Sequence, residues 1–352
     1  MKIVFLHMTM GLESRGSEVS TDLLATELAK KHEVLVIGSG PISKRTYTTK
    51  RVYPLSSAPS PAPVGLIGKI RSHLYLDDAS LKVKQFTIES LPLIREFHPD
   101  MIIATNGLPQ LYVLRGEVSK AKIVVFGRAG MGYHDRDSLR TGPDLFIALS
   151  EQAANWAKGL GGHKTRVVYI PNPIRVTKAQ KIDLKLKNPV VMCVGALSKY
   201  KNVDKLIEAV RLTNASLLLI GDGEEREGVQ QSLSTLPNEF RWIRHVDPSE
   251  LPSYYGSADV FCFVPDEQEA FGRVYLEAMV AGLPIVASYD HIRRAIVGQQ
   301  GIFVNPRDVS DIAMGINTAI QLNKLNYSDE LKEYELKTVA AQIEKEFHDL
   351  IK

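Results

Sequence analysis

The chain has 352 residues, of which 44% are hydrophobic and 24% are charged, and its formal net charge is +3 at pH 7. This length allows two domains with separate cores, because domains commonly have about 100–200 residues. The weak, dispersed positive charge argues against a dedicated nucleic-acid-binding protein, which normally concentrates basic residues on one face. An integral membrane protein is not expected either, since no apolar window reaches the ~18 residues that a spanning helix needs.

The cysteines and the amino terminus indicate the compartment. Cys193 and Cys262 each lie in an apolar run, which favours reduced core thiols over a disulfide framework, and no Cys/His cluster suggests zinc. The opening MKIVFLHM is a short apolar run that leads into charged residues, so it predicts a first strand rather than a signal peptide. We therefore expect a cytoplasmic protein.

In the first half, β-branched runs alternate with helical stretches, the pattern of parallel sheets covered by helices on both faces. Periodic apolar residues predict a helix at Glu18–Lys31, after a loop that contains Gly11 and Gly16. The strands predicted here are Lys2–His7, Glu33–Ile37, Met101–Ala104, Lys122–Phe126, Leu145–Leu149 and Val167–Ile170. The sequence PNP at 171–173 ends this half, because proline cannot donate to a strand ladder.

The second half repeats the alternation, so we expect two α/β units in tandem. Its predicted strands are Val190–Val194, Leu217–Ile220, Val260–Val264, Pro284–Ala287 and Gly301–Val304. Near the carboxyl terminus, apolar residues recur at helical spacing and predict an amphipathic helix that covers exposed core; they are Leu336, Val339, Ile343, Phe347 and Leu350.

The segment 53–75 is rich in Pro and Ser and then becomes apolar and basic. It is typical of a long surface loop that runs into a packed helix. The alternative is a basic amphipathic segment, over residues 64–75, that rests on an anionic membrane surface.

Two acids, Glu269 and Glu277, flank the start of an apolar helix in EQEAFGRVYLEAMVAGLPIVAS at 267–288. A helix that begins after Phe271 directs unpaired N–H groups and the positive end of its dipole outward, which suits a phosphate group. Gly272 lies where the backbone must approach a ligand closely. Because carboxylates accept hydrogen bonds from neighbouring hydroxyls, a ligand with a central phosphate and a polyol at each end fits, and a sugar nucleotide has that form.

This stretch resembles the signature of the retaining GT-B glycosyltransferases of family 4, also called glycosyl transferases group 1. The likeness continues through VGALSKYKNVDKLIEA at 194–209, LIGDGEER at 219–226 and HVDPSELPSYYGSADVFCFVP at 245–265. In the first half it is fainter, in PDLFIALSE and RVVYIPNP.

The resemblance implies an α/β GT-B architecture with two Rossmann-like domains that face each other across a cleft. Residues 1–172 would bind the acceptor and residues 173–328 the nucleotide sugar, while 329–352 would form a helix that returns to the first domain.

The resemblance also implies roles for individual residues. Glu269 would hold hydroxyls of the transferred sugar, Glu277 would hold the ribose hydroxyls, and Lys201 would neutralise the diphosphate leaving group. Backbone N–H groups near the helix start would contact the sugar and the diphosphate; these are the N–H groups of Phe271, Gly272, Arg273 and Val274. Gly16, in a Gly-rich loop of the first domain, would approach the phosphate. Backbone near Val246 would contact the base.

The chain departs from the family pattern at two places. Ala196 replaces the usual arginine of the motif VGR, so the diphosphate relies on Lys201 with help from Arg273 or Arg128. The family's active-site histidine has no exact counterpart, and the nearest candidate is His134, with an ordinary loop histidine as the alternative. Asp135–Asp137 has the form of an Asp-x-Asp metal site, but we expect no metal here.

The predicted activity is a metal-independent glycosyltransferase, of the hexosyltransferase type, that retains anomeric configuration. No cofactor is expected; the donor is a nucleotide sugar such as a UDP- or GDP-sugar, and the acceptor is a glycan, a lipid-linked molecule or a small molecule. The alternatives are an inactive nucleotide-sugar-binding protein and an isomerase or phosphorylase of the same fold.

A nicotinamide oxidoreductase is disfavoured because GSGPIS and GDGEER lack the third glycine of the dinucleotide motif. No nucleic-acid partner is expected, and peripheral contact with the inner face of the membrane would involve 64–75.

Overall fold

The computed structural model describes residues 1–13, 15–41, 45–53, 66–118, 120–128, 130–161, 164–177 and 180–352, with 66–69 described by their backbone alone. Contacts divide the chain into two compact units. The first comprises Met1–Pro173 and Leu336–Lys352, and the second comprises Ile174–Glu335.

Within the described part of the first unit, seven parallel strands form one sheet in the order β3-β2-β1-β4-β5-β6-β7. The strands are β1 (Lys2–Leu6), β2 (Glu33–Gly38), β3 (Thr48–Arg51), β4 (Met101–Ala104), β5 (Lys122–Gly127), β6 (Leu145–Ala148) and β7 (Arg166–Tyr169). The helices are α1 (Gly16–Leu28), α2 (Leu66–His73), α3 (Asp78–Phe97), α4 (Leu108–Glu117), α5 (Tyr133–Arg140) and α6 (Glu151–Gly159). The interior strand β1 is buried from Ile3 to Leu6, as expected of a parallel strand with both faces covered.

The second unit has a six-stranded parallel sheet in its described residues, in the order β10-β9-β8-β11-β12-β13. The strands are β8 (Val190–Val194), β9 (Ser216–Ile220), β10 (Phe240–Ile243), β11 (Val260–Phe263), β12 (Ile285–Ser288) and β13 (Ile302–Val304). The helices are α7 (Val203–Arg211), α8 (Arg226–Ser234), α9 (Leu251–Ser257), α10 (Arg273–Val280), α11 (His291–Val297), α12 (Val309–Ile320) and α13 (Ser328–Leu331). Short 3₁₀ turns lie at Lys199–Lys201, Gly298–Gln300 and Lys332–Tyr334. Cys193 in β8 and Cys262 in β11 are buried free thiols, which confirms that prediction.

The last helix, α14 (Leu336–Ile351), packs against the first unit. Its buried stripe contains Leu336, Val339, Ala340, Ile343 and Phe347, whereas Leu350 is half-buried. Ion pairs line the edge of this contact, with Lys31 Nζ 2.8 Å from Glu344 Oε2 and Arg166 Nε 2.7 Å from Glu346 Oε2.

Two strands, β3 and β10, are not predicted by the apolar pattern. Both are edge strands of their sheets, and their side chains are exposed or half-buried throughout. An edge strand that is open to water needs no continuous apolar run, so its sequence resembles a loop.

The segment that we considered for membrane contact is described only in part. Residues 54–65 lie outside the described residues, and α2 begins at Leu66. Ile70 in this helix and Leu74 just after it are half or more exposed. Across the described ranges, no helix has the length and apolarity needed to cross a bilayer.

Candidate functional site

Of the predicted site residues in the second unit, all but Val246, which follows β10, lie on the segments that follow β8 and β11. These strands are neighbours in the sheet, but the chain runs outward in opposite directions from them, through β9 and β10 on one side and β12 and β13 on the other. Loops that follow such a pair of strands diverge and leave a crevice, where ligands of open α/β sheets bind. The loop after β8 contains Lys201, and the loop after β11 contains Glu269 and leads into α10.

The backbone at the start of α10 has the shape that the sequence predicts. Gly272 precedes the helix with a φ of +84°, a left-handed conformation. A Cβ atom there would lie 2.8 Å from the ring of Tyr275, so both conformation and space favour glycine. Because Gly272 has no side chain to cap the helix, the first N–H groups of α10, which include those of Arg273 and Val274, can face a ligand. The side chain of Phe271 is buried, with its ring centroid 6.0 Å from that of Tyr334.

Lys201 and Glu269 meet although 68 positions separate them in the chain (269 − 201). Lys201 Nζ lies 3.4 Å from Glu269 Oε2, and the side chains are only 13% and 16% exposed. The same ammonium group lies 5.5 Å from the centre of the Phe263 ring. Partial burial strengthens the attraction between these charges relative to water.

Glu277 lies on α10 and is held by two neighbours. The hydroxyl group of Tyr255 donates to Glu277 Oε2 at 2.9 Å, and Arg273 Nη2 lies 3.9 Å from Glu277 Oε1. Burial raises the pKa of Glu277, although the positive charge of Arg273 and the Tyr255 hydrogen bond act in the opposite direction. The sequence does not point to Tyr255, because this residue comes from α9 and only the fold brings it to Glu277.

A second unpredicted residue, Asn202, ties the two loops together. Its Nδ2 donates to the carbonyl oxygen of Val264 at 3.0 Å and to Asp266 Oδ1 at 3.2 Å. The N–H of Asp266 donates to the carbonyl oxygen of Tyr200 at 2.7 Å. These bonds connect the turn that bears Lys201 with the turn that bears Glu269.

The first glycine of LIGDGEER at 219–226, Gly221, lies directly after β9 and has a packing role. Gly221 has a φ of +140°, and a Cβ atom there would lie 1.9 Å from the carbonyl oxygen of Gly195. Gly221 is therefore required by the close approach of the two loops.

Two other residues from the sequence analysis lie in loops of the second unit. Ala196 follows β8 and Val246 follows β10, and both are half-buried.

The predicted residues of the first unit lie on separate elements. Gly16 is the exposed first residue of α1. His134 is exposed on α5, and its ring centroid lies 3.9 Å from that of Tyr133 and 5.6 Å from that of Tyr75. Desolvation lowers the pKa of His134, against the opposing effect of Asp137 and Asp77. Its predicted catalytic role stays a prediction.

A buried polar cluster joins β1 to α1 and was not predicted. The carboxylate of Glu18 accepts hydrogen bonds from Thr9 at 2.5 Å and from Ser17 at 2.8 Å. His7 Nε2 lies 3.3 Å from Glu18 Oε1, and His7 Nδ1 lies 3.1 Å from the hydroxyl group of Thr21. Burial opposes the ionisation of Glu18, but these hydrogen bonds outweigh it and hold the pKa of Glu18 well below its ordinary value.

The Asp-x-Asp tripeptide is engaged in other contacts. Asp137 accepts a hydrogen bond from the hydroxyl group of Tyr75 at 3.4 Å and lies 3.6 Å from Arg136 Nε. Asp135 is buried. Within the described ranges, no group of three or more His, Cys, Asp or Glu side chains is arranged to hold a metal ion.

Residues 175–338 match the family model described as glycosyl transferases group 1. The sulfoquinovosyl transferase SQD2 of Arabidopsis thaliana is 31% identical over 198 residues, which are 52% of this chain and 36% of that protein. The phosphatidyl-myo-inositol mannosyltransferase of Mycolicibacterium smegmatis is 29% identical over 216 residues, 56% of this chain and 55% of that protein. The chain thus matches less than two thirds of the length of these relatives.

Solved structures match nearly the whole chain at low identity. The Anabaena protein Alr3699/HepE, solved in complex with UDP and glucose, superposes with a TM-score of 0.76 at 19% identity and covers 99% of this chain and 100% of its own. Trehalose-6-phosphate synthase OtsA gives a TM-score of 0.77 at 13% identity, with 99% of each chain covered. These likenesses confirm the predicted GT-B fold class.

Proposed function

Because residues 175–338 match the family model of the glycosyl transferases group 1, we propose that the chain transfers a sugar from a nucleotide diphosphate sugar to an acceptor hydroxyl group. The observation that carries this proposal is the Lys201–Glu269 pair, 3.4 Å apart, on the loops beside the start of α10. This arrangement offers a cation for a leaving diphosphate and a carboxylate for sugar hydroxyls at one crevice.

In this proposal, the donor lies across the carboxyl ends of β8 and β11. Lys201 and the N–H groups from Phe271 to Val274 bind the diphosphate. Glu269 accepts hydrogen bonds from the sugar, Glu277 accepts them from the ribose, and backbone near Val246 contacts the base. The dipole of α10 contributes about 0.3–1 kcal/mol, so the charge of Lys201 supplies the larger share.

The reaction proposed is transfer with retention of configuration. The bond between the anomeric carbon and the diphosphate oxygen breaks, and its electron pair stays on that oxygen. The acceptor oxygen bonds to the anomeric carbon on the same face, and its proton passes to the departing phosphate oxygen. Lys201 and the start of α10 stabilise the negative charge that develops. Full activity in EDTA would support the metal-independent form of this mechanism.

The first unit supplies the acceptor side in this proposal. Gly16 would approach the donor phosphate, and His134 would lie near the reacting sugar. A His134→Ala variant with an unchanged kcat would remove His134 from the mechanism.

The acceptor class that we propose is a lipid-linked molecule or a glycan. Two relatives are, by name, a sulfoquinovosyl transferase and a phosphatidyl-myo-inositol mannosyltransferase. Exposed apolar side chains at Ile70 and Leu74, beside exposed Arg71, support peripheral contact with an anionic membrane face. Co-sedimentation with phosphatidylglycerol vesicles, but not with phosphatidylcholine vesicles, would be the expected result; no co-sedimentation with either would contradict it.

The competing function is a nucleotide-sugar-binding protein without turnover, which the missing arginine at Ala196 favours. An isomerase or phosphorylase of the same fold would also use the diphosphate site. A binding protein would hold the donor tightly without product, whereas an isomerase would convert the donor without an acceptor.

The deciding experiment is a thermal-shift screen of the purified chain against UDP-, GDP- and ADP-sugars, followed by product analysis. A ligand at ~100 times its Kd stabilises the folded state by about 2.7 kcal/mol, which is readily seen as a shift in Tm. Transfer by the wild type, weakened in Lys201→Ala and Glu277→Ala, would support the glycosyltransferase. Failure of every donor to bind would contradict it.

A further inference from the structure

The turn that bears Glu269 is held through its backbone carbonyl groups. Side chains from three other places in the second unit donate to successive carbonyl oxygens at the end of β11. These bonds run from Tyr275 to Phe263 at 2.6 Å, from Asn202 to Val264 at 3.0 Å and from Ser288 to Pro265 at 2.6 Å. The last part of the turn, from Asp266 to Glu269, is held by a different residue, Arg293.

Arg293 lies on α11 and is completely buried, with 0% exposure. Its Nη2 donates to the carbonyl oxygen of Glu269 at 2.8 Å and to that of Asp266 at 3.3 Å. Its Nη1 lies 3.4 Å from Asp290 Oδ1. The same Asp290 oxygen accepts the N–H of Arg293 at 2.9 Å and so caps α11.

A buried guanidinium group is costly to desolvate. The contacts of Nη1 and Nη2 offset part of this cost, whereas the buried Nε of Arg293 has no hydrogen-bond partner among the described residues. The N–H groups of the guanidinium group lie in one rigid plane, so two carbonyl oxygens bound to it cannot move independently. Arg293 therefore fixes both ends of the turn 266–269. The carboxylate of Glu269 is carried by one of these two fixed residues.

We propose that Arg293 is a positioning residue for Glu269. Through the backbone of the turn, it holds the Glu269 carboxylate at the place where the sugar of a nucleotide sugar binds. It does not touch the ligand, and the role of Glu269 toward the sugar rests on the function proposed above. The restraint of the turn 266–269 by Arg293, which we call the clamp, can be tested without any ligand.

The first test is hydrogen–deuterium exchange of the ligand-free protein. The N–H of Asp266 donates to Tyr200, and that of Glu269 donates to Asp266, so both amides are protected while the turn is held. We expect Arg293→Met to exchange at least tenfold faster in peptides that cover 264–271. The matched control is Arg294→Met, which changes the next residue, an exposed arginine that donates to the hydroxyl group of Tyr289 at 3.2 Å, and should leave this exchange unchanged.

The second test separates the sugar from the nucleotide. Calorimetry gives Kd for UDP and for UDP-glucose, or for GDP and GDP-mannose if the donor screen selects guanine. The ratio of the nucleotide Kd to the nucleotide-sugar Kd measures how much the sugar adds to the affinity. A charged hydrogen bond accounts for about a tenfold to hundredfold change in affinity, so we expect Arg293→Met and Glu269→Gln each to lower the ratio by about tenfold. The double variant should lower it no further, because both changes remove the same contact.

The outcomes distinguish this inference from the function on which it rests. Unchanged exchange at 264–271 in Arg293→Met overturns the clamp whatever the protein binds. An equal loss of UDP and UDP-glucose affinity, or a ratio that stays at the wild-type value, overturns the link to Glu269. Arg293→Met could exchange faster at 264–271 while the wild-type protein binds no nucleotide sugar. That result would overturn the proposed function and the sugar role of Glu269, but it would support the restraint of the turn by Arg293.

A conservative variant protects the test against misfolding. If Arg293→Met does not fold, Arg293→Lys keeps the charge but has a shorter side chain and lacks the planar guanidinium group. We expect it to show intermediate exchange at 264–271 and an intermediate affinity ratio. Wild-type values of both in Arg293→Lys would contradict the proposal.

Discussion

At the scale of single residues, the candidate site depends on a few charges held in partly buried positions. Lys201 is paired with Glu269 in the chain without ligand, so a diphosphate would compete with this carboxylate for the ammonium group. The exchange of one anion for another keeps Lys201 neutralised in both states. The charge of Glu277 is controlled separately, by Arg273 and Tyr255.

Replacement of Lys201 by Met should lower kcat/KM for the donor by about tenfold to a hundredfold, because a charged hydrogen bond to the leaving group contributes ~1.5–3 kcal/mol. The measurement is steady-state kinetics with the donor that the screen selects. Lys199→Met is the matched control, since Lys199 is exposed on the same 3₁₀ turn and its loss should change kcat/KM less than twofold. Equal losses in the two variants would contradict a specific role for Lys201.

The pH dependence of nucleotide binding should reveal Glu277. Burial raises the pKa of Glu277, and ribose hydroxyls donate more strongly to a carboxylate than to a neutral carboxyl group. As the pH falls through this raised pKa, the carboxylate gains a proton and affinity for the nucleoside diphosphate should weaken. Calorimetry between pH 5 and pH 8 on the wild type and on Glu277→Gln checks this, because titration of the phosphate is common to both. Parallel pH profiles in the two proteins would argue against it.

At the scale of elements, the junction of β1 and α1 is stabilised by a polar cluster rather than by apolar packing alone. Glu18 lies in the first turn of α1 and is buried with His7. A proton on His7 Nε2 lets this nitrogen donate to Glu18 while Nδ1 accepts from Thr21. The cluster thereby ties Thr9, which follows β1, to the first turn of α1.

Removal of this buried acceptor should destabilise the first unit. Glu18→Ala leaves the donors of His7, Thr9 and Ser17 without their partner, so we expect a loss of about 2–3 kcal/mol in the free energy of unfolding. Urea denaturation measures the loss. Glu27→Ala on the same helix removes only an ion pair with Lys30 at 2.6 Å, which should cost less than ~1 kcal/mol.

The same cluster gives stability a definite pH dependence. The pKa of Glu18 is lowered on folding and that of His7 is lowered by burial, so for both groups the unfolded chain binds protons more readily. The stabilisation is therefore complete above the ordinary pKa of histidine. Its loss begins as the pH falls below the ordinary pKa of each group and continues down to the lowered pKa of that group in the folded protein. Glu18→Ala should show a smaller loss of stability in acid than the wild type does.

At the scale of the whole molecule, the first unit is discontinuous in sequence, whereas the second is one continuous segment. The first unit ends at Pro173 and resumes at Leu336, after the second unit is complete. The helix α14 buries its apolar stripe against the first unit, although it follows the second unit directly in the chain. A change in α14 should accordingly act on the first unit.

Phe347→Ala tests this assignment. Phe347 is completely buried, and loss of a buried phenylalanine side chain typically costs about 3–5 kcal/mol. Hydrogen exchange should accelerate in α1 and β2 but not in β8 or β11. Ile351→Ala, at a position that is 47% exposed, is the control and should leave all four elements unchanged. Faster exchange in β8 would show that α14 stabilises the second unit instead.

The sequence by itself determined the two parallel sheets, because buried parallel strands require continuous apolar runs, as in Ile3–Leu6 and Val190–Val194. It also predicted a ligand site at Gly272 and the two acids from their residue types and order, and the family resemblance added Lys201 to that prediction. The tertiary structure alone decided that Lys201 meets Glu269, that Tyr255 donates to Glu277, and that Arg293 holds the turn at 266–269. Those contacts join residues from different elements, and no local pattern encodes them, since only the strand order brings the loops together. The tertiary structure also decided that residues 48–51 and 240–243 form the strands β3 and β10. Both lie at sheet edges that are open to water, so their sequences lack the continuous apolar run from which a strand is predicted.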